Sequence, residues 1–270
     1  VSSVPRESLA LAKYHGAENT FVILDDRLPH GVDLAELARE MCAHGSELGG
    51  ADGLLVIERA DGADVRMRVF NADGSEPEMC GNGVRCVVRY LVDRGAPDRL
   101  TIATLAGPIV AEVVAREPFA VRLDMGEVTF PDGEAELVFD ALGAQWPYVS
   151  VSVGNPHAVV FVDDPDVVDL VALGEAMQRH ALFPRGTNLH AVRVDIDRLT
   201  VRHYERGVGL TRACGTGAVA CAAAAIVRGV ARSPVRVEVP GGRLTVAWQR
   251  GAHASLTGPA EPMLERTTTR

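Results

Sequence analysis

The 270-residue sequence contains a single lysine, Lys13. A pyridoxal-phosphate enzyme needs a lysine for its Schiff base. Lys13 is followed by Tyr-His-Gly, with no glycine loop nearby to cradle a phosphate, so no cofactor is expected. Long apolar runs are also missing. The most apolar stretch, Ala218 to Val230, contains Arg228 and is too short to span a bilayer. Val1 to Gly16 has no apolar core of signal-peptide type, and a cytoplasmic protein is expected. Basic clusters are absent. The net charge is −9 and the arginines are scattered, which argues against nucleic acid or an anionic membrane as partner. There is no C-x-x-C pair and no ligand spacing among the histidines, so no metal site is expected. Five cysteines in a chain of this length do not make a disulfide scaffold, and in the cytosol they should be reduced thiols.

Two of those cysteines sit in matching contexts. Cys80-Gly81-Asn82-Gly83 precedes the apolar run from Val84 to Val92. Cys214-Gly215-Thr216-Gly217 precedes Ala218-Val219-Ala220-Cys221 and a run of alanines. Each reads as a glycine turn opening a largely buried helix. A second echo lies upstream. Asn19-Thr20-Phe21 leads through a short apolar run to Asp25-Asp26, and Asn155-Pro156-His157 leads through another to Asp163-Asp164. Cys80 follows Asn19 by 61 positions, and Cys214 follows Asn155 by 59. Two signals in one order at nearly the same spacing indicate an internal duplication with a period too long for a solenoid. The expectation is an α/β (α+β) protein of two similar domains facing each other. The crossover is placed near Ala115–Val121, around Glu117-Pro118, giving halves of 1–117 and 118–258.

Strands are expected over Leu54–Ile57, Val65–Phe70, Leu100–Thr104, Ile109–Val114, Val149–Val153, Leu199–Tyr204, Val235–Val239 and Leu244–Trp248. Amphipathic helices are expected over Leu34–Ala43 and Leu170–His180. The tail after Pro259 reads as frayed, with Thr267 to Arg270 disordered.

A cysteine just before a helix meets unpaired N–H groups and the positive end of the helix dipole, which favour thiolate. The same N–H groups can hold a substrate carboxylate. With one such cysteine from each half, a thiolate can remove a proton from one face of a carbon while a thiol delivers one to the other. Near-attack geometry puts each sulfur roughly 3–3.5 Å from that carbon, and hence the sulfurs roughly 6–7 Å apart. Cys80 and Cys214 are therefore the candidate acid–base pair of a racemisation. The developing carbanion would be stabilised by helix-end N–H groups in a dry site. Cys42, Cys86 and Cys221 read as small buried hydrophobes.

Asn71-Ala72-Asp73-Gly74-Ser75 leading to Met79-Cys80-Gly81-Asn82-Gly83-Val84-Arg85 resembles the diaminopimelate epimerase family. So do Gly154-Asn155-Pro156-His157 and Tyr204-Glu205-Arg206-Gly207 leading to Ala213-Cys214-Gly215-Thr216-Gly217. Gly50-Ala51-Asp52-Gly53 and Thr104-Leu105-Ala106-Gly107 are weaker matches, and the order of motifs holds over nearly the whole chain. The resemblance implies two pseudo-symmetric domains, each a mixed β-sheet wrapped around a central helix, with the segment after about 259 returning to the N-terminal half. It implies cofactor-independent interconversion of LL- and meso-diaminopimelate on the route to lysine and peptidoglycan, with Cys80 and Cys214 as the bases. Gly81, Asn82, Gly215 and Thr216 would hold the reacting carboxylate, and His157 and Glu205 would orient the amine. Asn19, Asn71, Asn155, Asn188 and Arg206 would read the distal amino-acid end, where an arginine fork suits a carboxylate. Members of the family often pair as dimers, so a homodimer is an expected form.

This chain departs from the family pattern at Thr20, at Leu210, and at Leu189-His190. Thr20 and Leu210 each replace a carboxylate, which bears on the identity of the substrate. A proline-racemase-like or histidine-racemase-like enzyme, a non-catalytic amino-acid-binding module and a thiol redox switch remain alternatives. Asn82, where proline-racemase-like proteins resemble Cys-Gly-His, speaks against the first.

Overall fold

The computed structural model describes residues 8–25, 33–46 and 49–269. Asp26 and Arg270 lie outside the described residues. The chain divides into two compact units, Val1–Arg122 with Pro259–Arg270, and Leu123–Gly258.

In the first unit, β1 (Ser8–Gly16) and β2 (Asn19–Asp25) form an antiparallel hairpin. Its two-residue turn places Ala17 and Glu18 at φ 55° and 57°, the left-handed pair that matches the twist of tightly joined strands. Helix α1 (Leu34–Cys42) follows, then β3 (Gly53–Glu58) parallel to β2 and β4 (Val65–Asn71) antiparallel to β3. Helix α2 (Gly81–Val92) leads to β5 (Arg99–Thr104), parallel to β4, and to β6 (Gly107–Arg116), antiparallel to β5. Strand β7 (Phe119–Glu127) follows β6 with two residues, Glu117 and Pro118, between them.

The second unit repeats this order. After β8 (Leu137–Ala141), β9 (Ala144–Ser152) and β10 (Pro156–Phe161) are antiparallel. Helix α3 (Leu170–Arg179) precedes β11 (Asn188–Val194), parallel to β10. Strand β12 (Arg198–Glu205) is antiparallel to β11, and the short β13 (Gly209–Thr211) folds back on it. Helix α4 (Gly215–Val227) then leads to β14 (Val235–Val239), parallel to β12, and β15 (Gly242–Ala247), antiparallel to β14. Strand β16 (His253–Pro259) pairs with β15. The ββαββαββ order thus occurs twice with the same parallel and antiparallel pairings, the second time with the short β13 added before the central helix, as the duplicated motifs predict.

In each unit one helix is central. Helix α2 packs against β1, β2, β3, β4, β6 and the last strand, β17 (Glu261–Thr269); α4 packs against β9, β10, β11, β12, β14 and β15. Burial all round explains why α4 runs apolar on every face, whereas α2 is buried along most of its length but carries Arg85 within the interior and Arg89 paired with Asp93 at its end. It also explains the small residues at their starts. A Cβ on Gly83 would lie 2.8 Å from Leu55 Cδ2, and one on Gly217 would lie 2.6 Å from His190 Cε1. Helices α1 and α3 cover the outer face and close two separate cores, one around Leu37, Val22 and Val56 and the other around Leu173, Met177 and Tyr148.

The reading of the tail as frayed is corrected. Residues 261–269 form β17, antiparallel to β1 from Ser8↔Thr269 to His15↔Glu261. The threonine and arginine run lacks an alternating apolar pattern, so its pairing comes from the open edge of β1. The Ala115–Val121 crossover is a tight β6–β7 connection at Glu117-Pro118, and the division between units falls within β7.

Candidate active site

Among the described residues, the four helices begin in two different ways. Asp33 caps α1 by accepting from the N–H groups of Ala35 and Glu36, and Asp169 caps α3 by accepting from Ala172. At α2 and α4 the cap positions are Cys80 and Cys214, and neither makes a side-chain cap hydrogen bond. Both residues are extended, with φ/ψ of −139°/108° and −123°/114°. The central helix of each unit therefore starts with a thiol where the outer helix starts with a carboxylate. Such a start leaves positive helix-end N–H groups for an external anion.

Around Cys80 the site is built from β2, the β3 entry loop and α2. The sulfur lies 4.0 Å from Asn19 Oδ1, which accepts from Asn82 Nδ2 at 3.2 Å. Asn19 Nδ2 donates to Asp52 Oδ2 at 3.0 Å. That oxygen also accepts from the Thr20 amide at 2.7 Å and the Thr20 hydroxyl at 3.0 Å. Thr20, a departure from the family pattern, thus holds the carboxylate of Asp52 through both its amide and its hydroxyl. Asn82 is buried, and its Oδ1 accepts from Nη2 of Arg85 at 2.9 Å. The guanidinium of Arg85 is fully buried and also donates through Nε to the Pro259 carbonyl at 3.0 Å. Burial lowers its pKa, and the sulfurs of Cys86 and Cys80 act in the opposite direction. Asn71 donates to Ser75 Oγ at 2.9 Å in the loop before α2.

Around Cys214 the site is built from β10, β12 and α4. The Cys214 thiol donates to Glu205 Oε2 at 3.1 Å and faces Thr216 Oγ1 at 3.7 Å. Glu205 ends β12, where the Arg206-Gly207-Val208 turn folds β13 back. Burial first, then the Glu205 carboxylate, pushes the Cys214 thiol well above its ordinary value. Burial also raises Glu205. At this helix end loss of solvent and a neighbouring acid both favour the thiol, which suits Cys214 to the protonated member of the pair. Asn155 Nδ2 reaches Thr216 Oγ1 at 3.5 Å, and its Oδ1 meets His157 Nε2 at 2.8 Å.

Asn188 and Arg206 have internal partners. Asn188 is buried, donating to the Pro156 carbonyl at 2.9 Å and accepting from the Arg206 amide at 2.9 Å. Arg206 is exposed and donates through Nη1 to the Arg185 carbonyl at 2.8 Å. Both Asn188 contacts shape the β10–β11–β12 end. Leu210 is exposed on β13. Cys42, Cys86 and Cys221 are buried, and burial pushes each thiol up, Cys42 to about 11.

Sequence reasoning assigned no role to Asp52, Arg85, His190 or His203. Asp52 and Arg85 lie inside motifs already noted, and His190 stands at a noted departure. Nothing in the sequence marks His203.

A family model described as "Diaminopimelate epimerase" matches residues 11–131 and 149–263. A diaminopimelate epimerase of Desulfitobacterium hafniense is 39% identical over 273 residues, covering 93% of this chain and 95% of the relative. One from Desulforapulum autotrophicum is 41% identical over 272 residues, covering 93% and 96%. Among solved structures, a probable proline racemase from Agrobacterium radiobacter aligns with a TM-score of 0.74 at 19% identity, covering 97% of this chain and 93% of that one. A predicted epimerase from Pseudomonas aeruginosa aligns with a TM-score of 0.73 at 16% identity, covering 96% and 99%. At those identities the structural likeness establishes the fold alone.

Proposed function

The chain belongs to the diaminopimelate epimerase family, and from that premise we propose that it interconverts LL- and meso-diaminopimelate with Cys80 and Cys214 as its acid–base pair. The observation that carries the residue assignment is the cysteine at the start of the central helix in each repeat of the duplicated topology. Cys214, protonated and donating to Glu205, is the acid in the resting protein, and Cys80 is the base. Deprotonation by one sulfur and reprotonation by the other inverts the α-carbon and exchanges the roles of the two groups. The next turnover in the reverse direction starts from that exchanged state.

The α-proton of an amino acid is only weakly acidic, so the carboxylate must be stabilised as charge develops on it. The N–H groups opening α2 and α4 supply that stabilisation, and Asn82 and Thr216 flank them. Glu205 orients the amine, His157, whose two ring nitrogens are engaged by Asn155 and His190, acts on the site through Asn155, and Asn19, Asn71, Asn155, Asn188 and Arg206 define the distal end. No helix among the described residues is long and apolar enough to cross a membrane. We place the enzyme in the cytoplasm, as a homodimer.

The test is hydrogen exchange in heavy water. LL-diaminopimelate should acquire one deuterium at the inverted α-carbon, and proline and histidine none. Cys80→Ser and Cys214→Ser should each lower turnover by at least about a hundredfold, within the range for loss of a general acid or base. Near-full activity in either variant would remove that cysteine from the mechanism.

A further inference from the structure

Three imidazoles form a hydrogen-bonded row beneath the start of α4. His157 Nδ1 meets His190 Nε2 at 2.8 Å, and His190 Nδ1 meets His203 Nδ1 at 2.8 Å. All three are buried. His190 packs directly against Gly217, the fourth residue of the Cys-Gly-Thr-Gly turn. Among the described residues, no group of histidine, cysteine or acidic side chains is arranged to hold a metal ion, these three included.

The duplication supplies an internal control. In the first unit Ile23 pairs with Leu55, and Leu55 with Val69. In the second, Val159 pairs with His190, and His190 with His203. Counting from Asn19 and Asn155, Phe21 corresponds to His157. The row Phe21, Leu55, Val69 thus corresponds to His157, His190, His203. The first row is buried and wholly apolar, and Leu55 supports Gly83 as His190 supports Gly217. This architecture is therefore built with hydrocarbon at these positions. Polar side chains there carry a desolvation cost that an apolar row avoids.

The protons of the row can be assigned. Asn155 Oδ1 accepts from His157 Nε2–H, so a neutral His157 has a bare Nδ1. His190 must then donate to it from Nε2–H, and its own bare Nδ1 accepts from His203 Nδ1–H. That leaves His203 Nε2 as a lone pair, and this atom has no hydrogen-bond partner. Three protons fill three bonds with one polarity. Burial keeps the row neutral, lowering His157 and His203 to about 3 and His190 well below its usual value.

We infer that His190, backed by His203, is a positioning residue that locks His157 as its Nε2–H tautomer and thereby fixes the orientation of Asn155 beside Cys214. With His157 donating, Asn155 must offer its carbonyl to the imidazole and its amide N–H to Thr216. The opposite tautomer would turn the Asn155 amide over and present an acceptor to the hydroxyl that faces the Cys214 sulfur. This rests on the epimerase reading for its effect on turnover, but the tautomers themselves do not depend on it.

The test is the side-chain ¹⁵N spectrum of the histidines together with steady-state kinetics. In the unaltered protein at neutral pH, His157 and His190 should be Nε2–H and His203 Nδ1–H. The double substitution His190→Leu with His203→Val writes the first unit's apolar row into the second. It should fold, lose the single His157 tautomer, and lower kcat about ten- to hundredfold with KM changed less than about threefold. His190→Gln keeps a donor and an acceptor and should restore both the tautomer and kcat to within about threefold, as retained outer contacts do for other oriented imidazoles. A His157 that is Nδ1–H or doubly protonated in the unaltered protein would overturn the inference without any variant. So would a double variant that keeps both the tautomer and kcat. If the unaltered protein shows the assigned tautomers but no α-proton exchange, the epimerase reading fails while the tautomer lock stands.

Discussion

The thiol of Cys214 lies 3.1 Å from Oε2 of Glu205 and donates to it. A buried thiol beside a carboxylate resists ionisation, since burial and a like charge act in the same direction. Glu205→Gln removes the charge and keeps the shape. The Cys214 thiol should then titrate lower, measured by ultraviolet thiolate absorbance against a Cys214→Ser background. Turnover should fall by about a hundredfold, at the lower end of what a positioned acid–base group supplies. An unchanged Cys214 titration would show that burial alone sets its proton affinity.

Cys80 is partly exposed, whereas Cys42, Cys86, Cys214 and Cys221 are buried. Buried thiols held protonated are poor nucleophiles, because the thiolate is the reactive species. Limiting iodoacetamide at neutral pH should therefore modify Cys80 first and abolish activity stoichiometrically. Peptide mass spectrometry checks the site. Modification of Cys42 or Cys86 ahead of Cys80 would contradict the burial order.

Gly174 sits on α3 where a Cβ would lie 2.4 Å from Cδ1 of Tyr204. Glycine to alanine inside a helix ordinarily stabilises by about 1 kcal/mol. Here the methyl would collide with an aromatic ring next to Glu205. Gly174→Ala should lower stability by about 1–3 kcal/mol, the usual cost of overpacking, read from the urea midpoint. A rise in that midpoint would mean that Tyr204 swings away freely.

Much of this architecture is legible in the sequence because the chain states it twice. The asparagine, glycine and cysteine echoes carry the duplication, and β14 spans the expected Val235–Val239. Strands without a strong apolar alternation escape the reading. β17 is held by the edge of β1 rather than by its own pattern; β7 alternates cleanly, with Phe119, Val121, Leu123 and Met125 buried, but it begins where a crossover was expected. At the candidate site, local motifs point to both cysteines and Glu205, since each stands beside a glycine turn. Asp52 meets Thr20 and Asn19 only once β2 and β3 lie side by side. His157, His190 and His203 are separated by 33 and 13 positions, and only the pairing of β10, β11 and β12 brings them into one row.

That row predicts how the protein responds to acid. The unfolded chain binds protons on its histidines below about pH 6.5, while the native row stays neutral until His157 and His203 titrate near pH 3. Burial is the main cause, with Arg206 adding to it at His157 and Arg202 at His203. Between those limits the unfolded state holds more protons than the native one, so stability falls as pH falls. Each imidazole kept neutral contributes a slope of about 1.4 kcal/mol per pH unit. Stability from urea unfolding should therefore be roughly flat above pH 7 and drop steeply from pH 6 toward pH 4.5. Carboxylates steepen the same limb, so the informative quantity is the difference between proteins. The His190→Leu, His203→Val variant removes two of the three groups, and its slope over that interval should be shallower by about 2–3 kcal/mol per pH unit. Parallel slopes would mean that these histidines are protonated in the native protein, in conflict with the burial of all three rings.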